Sequence, residues 1–285
     1  MKRQIAPIIF CILFWACTGR AAGAGVTEIT VTSPWLALLV NFIGGVNVRV
    51  NPIQNWNDDG ELVRRIRARN LQTLNQEALI MAFDYRDAMS VGLPYEQYKN
   101  YRSLYEPMPL DENKLDIHLS DPSIIPFVAQ RVLTALAYWD PDNYLYYQRR
   151  LAEFQTRLYS TVLAGRQILK DQPVYDLTGH SAPLLQAVGC RLTRPTADEW
   201  AAWSAWKDAS LLTAVVSRMA AEKIPVIIDH STPKAIRGML RSNPAVFLFS
   251  RPKSDQDYPA FLNDQYISLW TRITSRPLPP LPRRR

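Results

Sequence analysis

The sequence predicts an α/β protein of two lobes, each a small, mainly parallel sheet flanked by helices, with one long helix joining them. Three observations carry that expectation. Short apolar runs of strand type alternate with longer helical stretches in both halves of the chain. The run 78–83, Ala-Leu-Ile-Met-Ala-Phe, is apolar throughout, as a strand covered on both faces would be. Between the halves, Tyr147, Leu151, Phe154, Leu158 and Val162 recur every three or four residues and so line one face of a helix.

The elements follow in order. Residues 27–32 read as the first strand, with Glu28, Thr30 and Thr32 alternating with Ile29 and Val31. Residues 34–42 suit a helix stopped by Gly44-Gly45, and 46–50 a second strand. Residues 60–74, rich in Arg, Leu and Gln, suit a helix, and 78–83 make the third strand. This β-α-β-α-β order implies parallel pairing. Asp121-Pro122 opens a helix to about residue 138. Asp140 as cap and Pro141 in the first helical position open the long helix, which runs to 169 and spans roughly 40 Å at 1.5 Å per residue.

Alternation then resumes. Residues 173–177 read as a strand and 181–188 as a short helix. Thr196 and Glu199 make a capping box ahead of a long helix carrying Trp200, Trp203, Leu211, Leu212 and Val215, whose helical spacing reads as core packing. Strand 224–229, helix 233–240, strand 245–249 and a closing helix 259–273 complete the second half. The expected organisation is a leader at 1–24, an N-terminal lobe at 25–139, the linking helix at 140–169, a C-terminal lobe at 170–275 and an extended tail at 276–285.

The termini and charge bear on location and partners. Lys2 and Arg3 precede an apolar stretch of about a dozen residues, too short to span a bilayer as a helix, and small residues cluster at Ala21-Ala22-Gly23-Ala24. This is the pattern of an export signal cut after Ala24, which predicts a periplasmic protein. A lipid anchor on Cys17 is the alternative, with Trp15 a poor neighbour for it. Losing Lys2, Arg3 and Arg20 lowers the formal charge from +7 to +4, and three of the remaining positives are Arg283, Arg284 and Arg285. The folded part is near neutral and has no basic stripe, which argues against nucleic acid. Residues 276–282, Arg-Pro-Leu-Pro-Pro-Leu-Pro, cannot form helix or sheet ladders. Cys190 alone remains in the mature chain, so no internal disulfide or multi-thiolate metal site is expected.

The chemistry-bearing residues sit at strand ends. In α/β sheets, ligands bind beyond the carboxyl ends of strands. Asp84 follows the strand ending at Phe83, His180 lies just past the strand ending near Leu177, and Asp229 and His230 close the strand from Ile224. His118, ahead of Asp121-Pro122, is the third histidine of only three in the chain. Imidazoles suit zinc and carboxylate-rich sets suit manganese. Each residue has a structural alternative: His118 and His180 as helix caps, Asp229 and His230 in a turn before Pro233, and Asp84 paired with Arg86. Enzyme signatures are missing. No Gly-x-Ser-x-Gly, His-Glu-x-x-His, phosphate loop or dinucleotide glycine pattern occurs.

Several of these segments resemble one family, the periplasmic binding proteins of zinc and manganese ABC transporters. Residues 31–45, Val-Thr-Ser-Pro-Trp-Leu-Ala-Leu-Leu-Val-Asn-Phe-Ile-Gly-Gly, resemble its first strand and helix. Residues 118–122, His-Leu-Ser-Asp-Pro, resemble its histidine before a helix start, and Asp140-Pro141 its linking helix. Residues 174–180 and 224–234 resemble its two strand-to-loop segments in the second lobe, and 266–270 its closing helix. The likeness spans about 27–270 and implies a monomer that holds one divalent metal, zinc ahead of manganese, in the cleft between lobes and delivers it to an inner-membrane permease. The implied ligands are His118, His180 and an oxygen near Asp229, with His230 and Asp84 as further candidates. One departure stands out. The loop 51–60, where the family places a histidine, has none; Asp58, Asp59 or Asp84 would have to substitute, and Trp56 at the mouth would suit stacking on an organic ligand such as a metal chelate, or packing between lobes.

Overall fold

The computed structural model describes residues 26–107, 109, 115–205 and 209–274. The expected leader at 1–24, with Cys17, and the expected tail at 276–285 lie outside the described residues.

The first lobe begins with β1 (Thr27–Val31), α1 (Pro34–Gly44) and β2 (Val48–Pro52). A hairpin follows, β3 (Gln54–Trp56) paired antiparallel with β4 (Leu62–Arg64), then the short α2 (Ala68–Leu71). β5 (Leu79–Ala82), α3 (Tyr85–Ser90), β6 (Tyr101–Ser103), α4 (Leu115–Ser120) and α5 (Ile125–Trp139) complete it. The helix expected at 60–74 is therefore a strand and one helical turn. Ile53 O accepts from the backbone N–H of both Arg65 and Ile66, folding the segment back on the sheet and overriding its helical composition. After a 3₁₀ turn at Pro141–Asn143, α6 (Tyr144–Leu169) joins the lobes. Asp140 is not its cap: its carboxylate accepts from the Tyr147 hydroxyl at 2.5 Å and from Asn143 at 2.8 Å.

The second lobe contains β7 (Pro173–Asp176), α7 (Ala182–Ala187), β8 (Arg191–Thr193), α8 (Ala197–Ser204) and α9 (Ala209–Ala221). It ends with β9 (Val226–Asp229), α10 (Lys234–Leu240), β10 (Val246–Phe249) and α11 (Tyr258–Thr274). The capping box of Thr196 and Glu199 is formed at the start of α8.

Both main sheets are parallel, with strand orders β2-β1-β5-β6 and β10-β9-β7-β8. Side chains alternate between their faces. Met81 and Phe83 join the central core, whereas Ile80 and Ala82 pack with Ile53, Leu71 and Val91 on the other side. In the second lobe Ile227 and Phe249 face the central core, and Val226 and Ile228 pack with Trp203, Leu212 and Ile236. Covering both faces is what the unbroken apolar strand runs require. The central core runs through both lobes by way of α6, which buries Tyr147, Leu151, Phe154 and Leu158, then Thr161, Gly165 and Leu169. The stripe expected to continue to Val162 passes through Thr161 instead.

Each sheet order reverses once, between β1 and β5 and between β7 and β9. At such a point, loops leaving adjacent strands turn opposite ways and open a crevice at the carboxyl ends. Among the described residues, no helix is long and apolar enough to cross a membrane.

Candidate metal centre

The crevice of the second lobe is built by one carboxylate. Asp229, at the end of β9, is fully buried. Its Oδ2 accepts from the backbone N–H groups of His180 (2.9 Å) and Ser181 (3.0 Å), and its Oδ1 from those of Ser231 and Thr232, both at 3.0 Å. Gly179 N–H adds a 3.3 Å bond, and the hydroxyls of Ser181 and Ser231 also donate. Burial opposes this charge, but the Ser231 hydroxyl, His230 and the backbone donors prevail and hold the carboxyl at about 2. Asp229 thus ties the loop after β7 to the loop after β9. The two loops meet so closely at Gly179 that a Cβ there would stand 2.4 Å from Ser231 Oγ. His180 and His230 are brought together as a result, with Nδ1 of His180 3.1 Å from Nε2 of His230.

The first lobe contributes the third group. Ser33 caps α1 through its hydroxyl, with Pro34 in the first turn, which fixes Trp35 at the lobe interface. The Trp35 indole donates to Asp116 Oδ1 at 2.8 Å. Asp116 lies in the first turn of α4, and its Oδ2 is 3.7 Å from His180 Nδ1. One helical turn on, Ser120 Oγ donates to the His180 carbonyl at 2.7 Å, so the same face of α4 docks on the second lobe. Asp116, His180 and His230 each offer a ligand atom, all within 4.8 Å of one another.

Arg251, two residues beyond β10, enters the same group. Its Nη2 donates to Asp116 Oδ2 at 2.6 Å and lies 3.1 Å from His180 Nδ1, while its Nε donates to His230 Nδ1 at 3.0 Å. The guanidinium lies 5.1 Å from the Trp56 ring, which packs edge-on against Trp35. Burial lowers the pKa of both imidazoles, and the Arg251 charge pushes the same way, taking His230 to about 3. Both rings are neutral at pH 7, the form that binds metal. Burial disfavours the Asp116 charge as well, yet Arg251 and the Trp35 N–H outweigh it and keep the carboxyl below its ordinary range.

The expected residues divide. His180 and His230 meet. Asp229 faces inward onto backbone donors. Asp84 is the cap of α3, accepting from the N–H groups of Arg86 and Asp87 and pairing with the Arg86 guanidinium at 2.7 Å. His118 is on α4 but outside the group of three; two positions along a helix turn a side chain about 200° away from Asp116. Asp58 and Asp59 are exposed, and their loop serves as a bridge: Asp59 O accepts from Arg237, and Lys234 pairs with Glu61 at 2.7 Å. Asp116 and Arg251 were not among the expected residues. Strand-end logic applied to β10 would have raised Arg251; nothing local marks Asp116, because α4 was not read as a helix.

No protein-family model matches the chain, and no curated protein matches it. Solved structures do. The laminin-binding protein of Streptococcus agalactiae, described as having adhesin and metal transporting activity, superposes with a TM-score of 0.61 at 13% identity, over 87% of this chain and 100% of that one. A Zn(II)-bound AdcAII variant of Streptococcus pneumoniae gives 0.59 at 14% identity, over 88% and 100%. FpvC of Pseudomonas aeruginosa, a solute-binding protein in complex with Mn2+, gives 0.55 at 16%, over 87% and 98%. The chain has the two-lobed fold of these metal-binding solute-binding proteins, linking helix included.

Proposed function

We propose that the protein is the extracytoplasmic solute-binding component of an ABC importer, taking a divalent transition metal between its lobes and delivering it to an inner-membrane permease. The observation that supports this reading is the convergence of Asp116, His180 and His230 within 4.8 Å across the two lobes. Two imidazoles and one carboxylate form a set that zinc binds well and that leaves a fourth position open, so zinc is favoured over manganese. The cavity lined by Trp35, Asp116, His180, His230, Arg251 and Tyr258 measures about 20 Å³. That is room for one water or one ion, far below the volume a small organic ligand fills. The export signal expected at 1–24 supports a periplasmic site, on a free protein or, in the alternative, on one held by a lipid on Cys17.

Arg251 favours a second reading: the same fold with a degenerate metal site, serving an organic solute, a metal chelate or a partner protein. The small cavity speaks against the first two while the lobes are closed. Calorimetric titration of demetallated protein with Zn2+ and Mn2+ decides between the readings. The expected result is one ion per chain, zinc tighter, with His180→Ala weakening zinc at least a hundredfold. No binding of either ion, or full affinity in His180→Ala, would overturn the metal reading.

A further inference from the structure

Arg251 is a cation already seated among the proposed metal ligands. A guanidinium has donors only, so every atom it faces must present a lone pair. Those atoms are Asp116 Oδ2, His180 Nδ1 and His230 Nδ1. Asp116 Oδ2 and His180 Nδ1 are also atoms a metal would use; accepting from Arg251 at Nδ1 leaves the His230 proton on Nε2, 3.1 Å from His180 Nδ1, so that N–H and Arg251 share the one lone pair of His180 Nδ1. The Arg251 side chain is nearly buried, 8% exposed, and Asp116 is half-buried. It also bridges the lobes, from the loop after β10 to α4.

Metal and guanidinium exclude each other by geometry. Asp116 Oδ2 and His180 Nδ1 are 3.7 Å apart, and Arg251 Nη2 lies 2.6 Å and 3.1 Å from them. An ion at about 2.1 Å from both atoms would stand within about 3.2 Å of Nη2, whichever side of their connecting line it took. A dication and a guanidinium nitrogen at that separation, away from bulk water, repel strongly.

We infer that Arg251 is a built-in competitor for the transported ion: in the metal-free protein its guanidinium occupies the ligand group and latches the lobes together, and the ion enters by exchange with it. This rests on the metal reading above. It sets the affinity of the protein below what its three ligands would otherwise give, and it couples release of the ion to return of Arg251 to Asp116. Such an exchange gives the site a way to let go of metal without wide opening of lobes joined by α6.

The test is zinc titration of the wild type, Arg251→Met and Arg251→Gln against a chromophoric chelator, with circular dichroism and melting curves to confirm folding. Both variants are expected to bind Zn2+ at least tenfold more tightly, a gain of about 1.4 kcal/mol. X-ray scattering of the metal-free variants should show looser lobes than the wild type. Folded variants that bind zinc no better than a zinc-binding wild type would overturn the role of Arg251 and leave the metal reading standing. Absence of zinc binding in all three proteins would instead remove the metal reading, and this inference with it. Should both variants fail to fold, the Arg251 Nε–H resonance of the wild type is the readout: it must shift on adding Zn2+, and an unmoved resonance in zinc-saturated protein overturns the exchange.

Discussion

Replacing Asp229 by alanine tests whether this carboxylate organises the centre or binds the ion itself. The substitution strips an acceptor from the backbone N–H groups of Gly179, His180, Ser181, Ser231 and Thr232. Each buried donor left unpaired costs about 1–3 kcal/mol, and water entering the vacated space recovers part of the total. A net loss of about 3–5 kcal/mol is expected, in line with breaking a buried charged partner. At about 2–4 °C per kcal/mol for a chain of this size, the melting temperature should drop by roughly 6–20 °C. Asp229→Asn keeps one acceptor oxygen but turns an amide NH₂ towards donors, so it should lose about half as much. Urea and thermal unfolding of metal-free protein measure both. An Asp229→Asn variant with wild-type stability but abolished zinc binding would refute the reasoning, because it would make Asp229 a ligand and the loop tie dispensable.

The remaining predictions concern the ligands and acid. Asp116→Ala should weaken zinc at least tenfold, whereas His118→Ala, on the far side of α4, should change it less than threefold; calorimetry on the two variants checks the assignment. The two imidazoles are half-buried and held below 6.5, so below that pH the unfolded chain takes up protons that the folded chain refuses. Their contribution to stability is therefore intact above pH 6.5 and declines as pH falls towards 3. Asp229 adds a second window, its contribution complete above 3.8 and lost as pH falls towards 2. Urea midpoints should hold from pH 7.5 to about 6.5 and fall from there to 4.5, and replacing both His180 and His230 by Gln should flatten that fall.

Much of the fold was legible because it is written in local patterns. Apolar runs at 78–83 and 224–229, the stripe along α6 and the Thr196–Glu199 box each involve neighbours in sequence; the runs hold the strands Leu79–Ala82 and Val226–Asp229, the stripe forms from Tyr147 to Leu158, and the box forms as expected. The segment 60–74 was not, since its helix-favouring composition is a weak preference that pairing of β4 with β3 overrides. The three-residue strands β6 and β8 carry too little pattern to stand out.

The sequence by itself determined two parallel α/β units around a long helix and placed His180 and His230 at strand ends, because the succession of elements along the chain and the position of the loops follow from periodicity. Which side chains face one another was decided only by the tertiary structure. Asp116 reaches the imidazoles because α4 docks across the cleft, His118 turns away by the pitch of the same helix, and Asp229 is drawn inward by five backbone donors from two loops. Arg251 is more than twenty residues from the nearest histidine, so no motif spacing joins them; only the adjacency of β9 and β10 and the closure of the lobes set a guanidinium among the three ligands.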